Sequence, residues 1–266
     1  MFHLFPSRTV AFDLFGFGVH WYGLMYFAAF IIAWFLLPHL QKLRKLSLTP
    51  DQWSSLISAA VIGVIVGGRL GYVLFYGPVY YAQHPLEIFA IWNGGMASHG
   101  GFIGVMIALL IVLRGHKVDE ILRIGDVIVI PVAIGLGLGR IGNFINQELY
   151  GTVTTLPWGV TFDGVVGKRH PIQFYDFTLM MMIALSCFFA LRSKSFQRPG
   201  RVGTLFLILY SIVRFLIEFI REQNGVFFWG LSEGQLLTIP LFLFACWLWR
   251  WTGRRNGELK TIFLSK

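Results

Sequence analysis

The sequence predicts an all-α integral membrane protein with about seven membrane-spanning helices. Of its 266 residues, 56% are hydrophobic and 13% are charged, whereas a soluble domain carries about 25% charged residues. The second observation is that windows of about 17 to 23 mostly apolar residues, a length that can span a bilayer, recur along the chain, the last of them being shorter. They lie near residues 19–38, 54–76, 96–113, 126–144, 172–191, 203–220 and 235–249. We therefore expect a single integral membrane domain over residues 1–266.

Two segments are expected to lie outside the spans. Residues 1–18 mix aromatic and aliphatic side chains with few charges and are predicted to form an N-terminal arm in the membrane interface. The same segment lacks the charged region and cleavage site of a signal peptide, so the first helix is expected to be retained. Residues 145–171, between the fourth and fifth apolar stretches, predict a small head or loop on the outer face.

The basic residues predict which side of the membrane each loop faces. Most of the 22 Lys and Arg residues fall in one set of alternate loops and in the C-terminal tail. The opposite loops hold only Arg8, Lys168, Arg169 and Arg221. Because basic residues accumulate in cytoplasmic loops, the C-terminus is predicted to be cytoplasmic and the N-terminus to lie outside, in agreement with an odd number of spans.

This orientation places the unusual polar residues of the spans toward the outer face. They are Tyr22, Arg69, His99, Arg140, Asn143, Tyr175, Arg214 and Glu218. Scattered structural ion pairs would not be expected to share one level. A common cavity in the outer half of the bilayer is therefore the favoured interpretation.

The run from Gly139 to Gly151 concentrates polar groups beside glycines at the end of the fourth helix. Arg140 and Asn143 are three residues apart and share a helix face, and Glu148 follows in the loop. A charge at that depth is expensive, and an anionic lipid headgroup is the candidate ligand. The alternative is a glycine-lined packing interface with a snorkelling arginine.

Arg214, Glu218 and Arg221 recur at intervals of four and three residues, which predicts one charged stripe on the sixth helix. A purely structural pair of Arg214 with Glu218 is the alternative, since ionisable groups in membranes are usually paired. Guanidinium groups also suit phosphate oxygens, and two from different helices could clamp a phosphodiester.

His99 precedes Gly100 and Gly101 at the start of the third helix and is the best candidate for proton transfer among the seven histidines. A histidine that is only hydrogen-bonded to a neighbour is an equally good interpretation. A second polar group at the start of the fifth helix is expected to position a substrate. It comprises His170, Gln173, Tyr175 and Asp176.

Several classes of site have no support in the sequence. Cys187 and Cys246 both lie in apolar runs, which favours packing roles over a disulfide or a nucleophile. The aspartate clusters and histidine motifs of magnesium and zinc sites are lacking, as are the motifs of ester and peptide hydrolysis. We therefore predict no metal and no cofactor, with arginine in the role that a metal has elsewhere. The chain also lacks a basic tail or aromatic ladder suited to nucleic acid.

Taken together, the motifs resemble the family of bacterial phosphatidylglycerol–prolipoprotein diacylglyceryl transferases. The resemblance covers nearly the whole chain, and its most specific part is the run from Gly139 to Gly151. The other matching motifs are His20 to Tyr26, Gly67 to Tyr72, Gly94 to Met96 with His99 to Gly101, His170-Pro171 with Gln173 and Tyr175, and Arg214-Phe215 with Glu218. The resemblance associates activity with Tyr22, His99, Arg140, Asn143, Glu148, Gly151, Arg214 and Glu218. The chain departs from the family pattern at Asp176, where Glu is frequent, and at Ser232 to Gln235, where Glu233 replaces a frequent Met.

The resemblance implies a transferase of the bacterial inner membrane with its active site toward the periplasmic leaflet. It would move the diacylglyceryl group of phosphatidylglycerol to the lipobox cysteine of a preprolipoprotein signal peptide, releasing glycerol 1-phosphate. Arg140 and Arg214 would serve the phosphate, Asn143 would orient it, and His99 would act as base. Tyr22 and Glu148 would orient the headgroup or thiol, and Glu218 would hold Arg214. Gly151, Arg69 and Tyr175 complete the expected substrate site. A lipid or anion transporter using the same arginines is the rival, and a non-catalytic scaffold is a third possibility.

Overall fold

All seven predicted apolar segments form helices in the computed structural model, which describes residues 10–15, 17–91, 94–222 and 228–254. Six are long and apolar enough to span a membrane, and the chain is a multi-pass membrane protein. The helices are α1 (Trp21–Leu40), α2 (Pro50–Tyr76), α3 (Pro78–Gln83), α4 (Ser98–Val112), α5 (Val118–Ile145), α6 (Ile172–Arg192), α7 (Arg201–Ile217) and α8 (Glu233–Arg254). The 15-residue α4 is about 22 Å long, shorter than the other spans. The predicted sides of the two termini stay predictions.

Local sequence explains where several helices begin. The Thr49 side chain accepts a hydrogen bond from the Gln52 N–H, and the Gln52 side chain accepts from the Thr49 N–H, a reciprocal cap that starts α2. Pro50 occupies the first turn, where its missing N–H is tolerated. Gly200 precedes α7 with a φ of 84°, a conformation that favours glycine.

The chain divides into two compact units. Within the residues that the structure describes, the first unit comprises those up to Leu46 and those from Leu122 onward, and the second comprises Ser47–Ile121. The prediction of one integral membrane domain stays a prediction.

In the second unit, α2 packs along α4 through glycines. A Cβ atom at Gly63 would lie 2.7 Å from the Gly104 carbonyl oxygen, and one at Gly71 would lie 2.7 Å from the Gly100 Cα. These positions let the two backbones touch, the arrangement by which small residues favour helix association in membranes.

In the first unit, α7 packs against α6 and α8. The side chains of Val127, Cys187 and Val202 are fully buried, and Cys246 is half-buried. Both thiols are free, as expected for packing residues.

An ion pair lies at the start of α7. Arg44 lies between α1 and α2 and is fully buried. Its Nε lies 3.2 Å from the Asp126 carboxylate. The Asp126 carboxylate accepts hydrogen bonds from the N–H groups of Gly200 and Gly203, at 3.0 and 2.7 Å. It therefore caps the first turn of α7 from another helix.

The predicted N-terminal arm, residues 1–18, overlaps an antiparallel hairpin of β1 (Val10–Leu14) and β2 (Phe17–His20), which extends two residues beyond it. Leu14 pairs with Phe17 next to the turn, and β2 leads directly into α1. Residues 1–9 and 16 lie outside the described residues, and the interfacial location of the arm stays a prediction.

Residues 145–171 fold through short bridges and an aromatic cluster. Arg169 pairs with both Val153 and Val160. Phe162 is 1% exposed and contacts the rings of Phe144 and Tyr150, with centroids 6.0 and 5.3 Å away. This packing gives the predicted head a hydrophobic centre of its own. Its location on the outer face stays a prediction.

Candidate functional site

Three arginines of the first unit line one pocket. The space between them is about 200 Å³ and is partly open to the surroundings. Its lining residues are Arg140, Leu149, Ile172, Gln173, Asp176, Arg214 and Arg221. Asp176 is the only carboxylate among them, so the positive charge suits an anion. Arg140 of α5 and Arg214 of α7 line the same pocket, and their predicted clamp on a phosphodiester stays a prediction.

Two partners fix the Arg140 guanidinium. Its Nε lies 3.0 Å from the Asp176 carboxylate on α6, and its Nη1 donates a 3.3 Å hydrogen bond to the Asn143 side chain. The predicted shared face of Arg140 and Asn143 is therefore present. Asp176 is buried and Arg140 is 24% exposed, which leaves the cation accessible from the pocket.

Glycines make room around this part of α5. A Cβ atom at Gly137 would lie 2.6 Å from the Met181 Cε, and one at Gly142 would lie 3.1 Å from the Tyr22 ring. The second contact allows the start of α1 to reach the end of α5.

A directed chain of hydrogen bonds leads from Arg140 to Glu148. The Asn143 Nδ2 donates to the Tyr22 hydroxyl, which donates to the Glu148 carboxylate. Asn146 also donates to that carboxylate at 3.3 Å. The network joins three predicted site residues from two helices and a loop: Tyr22, Asn143 and Glu148. Because they share hydrogen bonds, displacing one of these side chains would disturb the bonds of the other two.

The chain after α5 turns sharply to place Glu148. Gln147 and Leu149, on either side of it, adopt φ values of 58° and 56°, a region that side chains other than glycine rarely occupy. Gln173 donates a 2.8 Å hydrogen bond to the Glu148 carbonyl. Gln147 bonds in turn to Asp163, through the Asp163 N–H at 2.7 Å and its side chain at 3.0 Å.

Gly151 allows its backbone to lie close to the segment that contains His170. Its N–H donates to the His170 carbonyl at 2.9 Å, and a Cβ atom there would lie 2.6 Å from the His170 Cβ. Gly151 also bridges to Arg221. A side chain at this position would press against His170 and Ile172, in the segment that leads into α6.

Glu218 joins the other two arginines. Its Oε1 is bonded to the Arg214 guanidinium and lies 2.9 Å from Nη1 of Arg221. Glu218 is 4% exposed, whereas the arginine side chains are 18% and 20% exposed. The predicted pair of Arg214 with Glu218 is confirmed.

The prediction of one helical stripe through Arg221 is wrong. Helix α7 ends at Ile217, a 3-10 turn covers Glu218–Ile220, and Arg221 is extended. The reason is competition from the loop: Thr152 donates to the Ile220 carbonyl at 2.9 Å, and Glu222 donates to the Tyr150 carbonyl at 3.2 Å. These bonds replace the helical ones.

Tyr175 lies among the residues of the head. Its hydroxyl accepts a 2.7 Å hydrogen bond from Trp158 and lies 3.3 Å from Nδ1 of His170. It is not among the residues that line the pocket. Its predicted contact with substrate stays a prediction.

Arg69 and His99 belong to the second unit. Arg69 is buried, and its guanidinium donates to the carbonyls of Glu87, Ile88, Gly94 and Gly95, at 2.5 to 3.2 Å. These bonds hold the segment before α4. His99 lies in the first turn of α4 with an exposed side chain. The substrate and proton-transfer roles predicted for the two residues stay predictions.

Two charged residues of the pocket, Asp176 and Arg221, are absent from the predicted site. The sequence places Asp176 among residues that position a substrate, without pairing it with Arg140, and it places Arg221 in a charged stripe. A usable signal existed for Asp176, because a carboxylate in an apolar helix requires a cationic partner. That this partner is Arg140 depends on how α5 and α6 pack, which the spacing of residues along the chain does not give.

Comparison with known proteins identifies relatives along most of the chain. The model of the prolipoprotein diacylglyceryl transferase family matches residues 9–251. Similar proteins named phosphatidylglycerol–prolipoprotein diacylglyceryl transferase include that of Geobacter sulfurreducens, 45% identical over 84% of this chain and 86% of the relative. Those of Legionella pneumophila strain Lens and Bordetella avium are each 42% identical, over 93% and 96% of this chain and 97% and 98% of the relatives. With a family match over this length and identities above 40%, the chain belongs to the prolipoprotein diacylglyceryl transferase family.

Proposed function

We propose that the protein transfers the diacylglyceryl group of phosphatidylglycerol to the lipobox cysteine of a prolipoprotein, with the arginine pocket as the phosphate site. The names of the relatives specify phosphatidylglycerol and prolipoprotein as their substrates. They give no support to a transporter. The observation that carries the assignment of the site is that Arg140, Arg214 and Arg221 line one pocket.

The reaction is a substitution at carbon. The cysteine sulfur attacks the glyceryl CH2 that bears the phosphate, a carbon–sulfur bond forms, and the carbon–oxygen bond to phosphate breaks. The bonding electrons leave with the phosphate oxygen, which departs as glycerol 1-phosphate, and the thiol proton passes to a base. The nucleophile belongs to the substrate, so the buried thiol of Cys187 has no part in the step.

The pocket suits the leaving group. Arginine forms charge-assisted hydrogen bonds to phosphate oxygens, and donors that are already fixed stabilise developing charge without reorganising. Asp176 and Glu218 hold the guanidinium groups through Nε of Arg140 and through the terminal nitrogens of Arg214 and Arg221. We infer that the remaining N–H groups bind the phosphate as the carbon–oxygen bond breaks.

The chain of hydrogen bonds from Asn143 through Tyr22 to Glu148 orients the second part of the site. Asn143 bonds to Arg140 and to Tyr22, and therefore couples the phosphate site to the Glu148 carboxylate. We infer that Tyr22 and Glu148 orient the headgroup glycerol or the thiol.

We retain His99 as the proposed base, because a neutral imidazole accepts a proton near neutral pH. Its test compares the purified variants His99→Ala and Arg140→Ala. Loss of transfer in both supports the role, whereas wild-type transfer by His99→Ala and loss in Arg140→Ala would remove histidine from the chemistry.

We also propose the inner membrane as the location, with the pocket toward the outer leaflet. The support is the excess of Lys and Arg in alternate loops. A cysteine placed at Lys168 should react with an impermeant maleimide in spheroplasts, and one placed at Lys117 should not. The reverse pattern would contradict the orientation.

The function is tested with the purified protein, phosphatidylglycerol and a peptide that carries a lipobox cysteine. We expect a thioether-linked lipopeptide by mass spectrometry and an equal amount of glycerol 1-phosphate. Arg140→Ala should lower the rate at least a hundredfold, and the control Arg250→Ala, at an exposed position on α8, should not. Headgroup binding without thioether formation by the unmodified protein would refute the proposed transfer.

A further inference from the structure

The start of α8 contacts the carboxylate that holds two of the pocket arginines. The Ser232 hydroxyl donates a 2.8 Å hydrogen bond to Oε2 of Glu218. The other oxygen, Oε1, is the one bonded to Arg214 and Arg221. Ser232 of α8 therefore bonds to one oxygen of Glu218, while the two pocket arginines bond to the other.

Ser232 is itself held in place by the helix cap. Its hydroxyl accepts a 3.1 Å hydrogen bond from the Gln235 N–H, and its own N–H donates to the Gln235 side chain at 3.0 Å. This is the reciprocal arrangement of a capping box. Ser232 and Gln235 are both buried. The hydroxyl position is thus set by the backbone of α8, and the carboxylate position follows from it.

Gly234 permits this contact. A Cβ atom at that position would lie 2.7 Å from Cδ of Glu218, 2.9 Å from its Oε2 and 3.0 Å from Nη2 of Arg214. Any larger residue would have to displace the carboxylate or the guanidinium. The helix N-terminus, which favours negative charge, can approach the carboxylate only because the side chain is missing.

We propose that Ser232 and Gly234 are positioning residues of the transferase, which fix the Glu218 carboxylate so that it holds Arg214 and Arg221 at the pocket wall. The proposal rests on the proposed function, because it assumes that these arginines bind the phosphate of the lipid. Neither residue needs to touch the substrate. Their effect reaches the reaction through the direction in which the two guanidinium groups point.

The expected effect follows from the bonds. Without the Ser232 hydroxyl, Oε2 loses a charge-assisted hydrogen bond in a buried site, and the carboxylate is held less firmly against the two arginines. Arg214 and Arg221 would still be present but less well placed for the departing phosphate. Since placement matters most when charge develops, kcat should fall more than the KM for phosphatidylglycerol rises.

The test uses a graded series at position 232 in the full-length protein. Ser232→Thr keeps the hydroxyl and should retain activity within threefold of wild type. Ser232→Cys offers only a weak donor and should be intermediate, and Ser232→Ala should lower kcat about tenfold or more. The control is Ser211→Ala, which removes a buried hydroxyl that donates to the Leu207 carbonyl of its own helix. It should leave kcat within twofold.

Melting temperature in detergent is recorded for each variant, so that a change in kcat at unchanged stability is attributed to positioning. If Ser232→Ala cannot be purified, the difference in kcat between the Cys and Thr variants decides. Equal activity of the Cys, Thr and wild-type proteins would overturn the proposal.

Gly234→Ala gives an independent result: it removes no donor or acceptor, and a tenfold lower kcat is expected from displacement of the carboxylate alone. A wild-type kcat in Gly234→Ala would contradict the positioning role proposed for Gly234.

The outcomes separate this proposal from the proposed function. If Arg214→Ala abolishes transfer while Ser232→Ala and Gly234→Ala behave as wild type, the positioning role fails and the transferase assignment stands. If the wild-type protein forms no thioether product, the proposed function fails first.

Discussion

The Asp176 carboxylate lies 3.0 Å from Nε of Arg140 and joins α6 to α5 beside the pocket. Because Nη1 of the same guanidinium donates to Asn143, the group is held at two points. An arginine fixed in this way presents its remaining N–H groups in one orientation. Arrangement of donors before the reaction is what makes electrostatic stabilisation effective.

Replacing Asp176 should therefore weaken catalysis although the residue is not proposed to touch the lipid. Charge-assisted hydrogen bonds contribute about 1.5–3 kcal/mol, so we expect Asp176→Asn to lower kcat/KM about ten- to a hundredfold. Asp176→Glu keeps the charge and is the matched control, with most activity retained. The measurement is the initial rate of lipopeptide formation. Equal rates for the Asn variant and the wild-type protein would show that the ion pair has no part in the reaction.

Removing the Tyr22 hydroxyl should interrupt the chain between Asn143 and Glu148. Both groups bond to that hydroxyl, so Tyr22→Phe leaves a buried amide donor and a carboxylate each without one partner. We expect transfer to fall at least tenfold. Tyr26→Phe, one turn later on α1 and 50% exposed, serves as the control and should stay within twofold. A similar small effect of both substitutions would argue against the network.

Gly104→Ala should destabilise the second unit. The added Cβ atom would overlap the Gly63 carbonyl oxygen and lie 2.8 Å from the Gly67 Cα, so α2 and α4 must separate. Overpacking costs about 1–3 kcal/mol, and we expect a melting temperature several degrees lower in detergent. Gly101→Ala is matched to it on the same helix, with its nearest neighbour, the Val64 carbonyl oxygen, 3.7 Å away. If Gly101→Ala destabilised as much as Gly104→Ala, close packing would not be the cause.

Arg69→Lys should loosen the segment before α4. Lysine keeps the charge but cannot present several planar donors to four carbonyl groups. Hydrogen exchange at residues 85–91 should therefore become faster, while Arg114→Lys, at an exposed position after α4, should leave it unchanged. Unchanged exchange in Arg69→Lys would mean that the carbonyl contacts contribute little to the stability of the segment.

The helices were predictable because the length and composition of an apolar segment are local properties. The pairs of Arg140 with Asn143 and of Arg214 with Glu218 were predictable for the same reason, since spacings of three and four residues define one helix face. Each forms in the structure.

Contacts between distant segments could not be derived from spacing. Tyr22 and Glu148 are 126 residues apart, and Asp176 reaches Arg140 from another helix. The end of α7 before Arg221 also depends on distant residues, because Thr152 bonds to the Ile220 carbonyl and Arg221 bridges to Gly151. The motif at Ser232 carried no functional signal in the sequence, since its relation to Glu218 appears only when α8 is packed.

Binding of the phosphate of phosphatidylglycerol by the arginine pocket is the proposal on which the other roles depend. The most direct measurement is an experimental structure of the protein in lipid nanodiscs with phosphatidylglycerol bound. We predict phosphate oxygens within about 3.2 Å of guanidinium nitrogens of both Arg140 and Arg214, a normal hydrogen-bond distance. A bound headgroup whose phosphate lies elsewhere, with these two side chains still engaged only by Asp176, Asn143 and Glu218, would contradict the account.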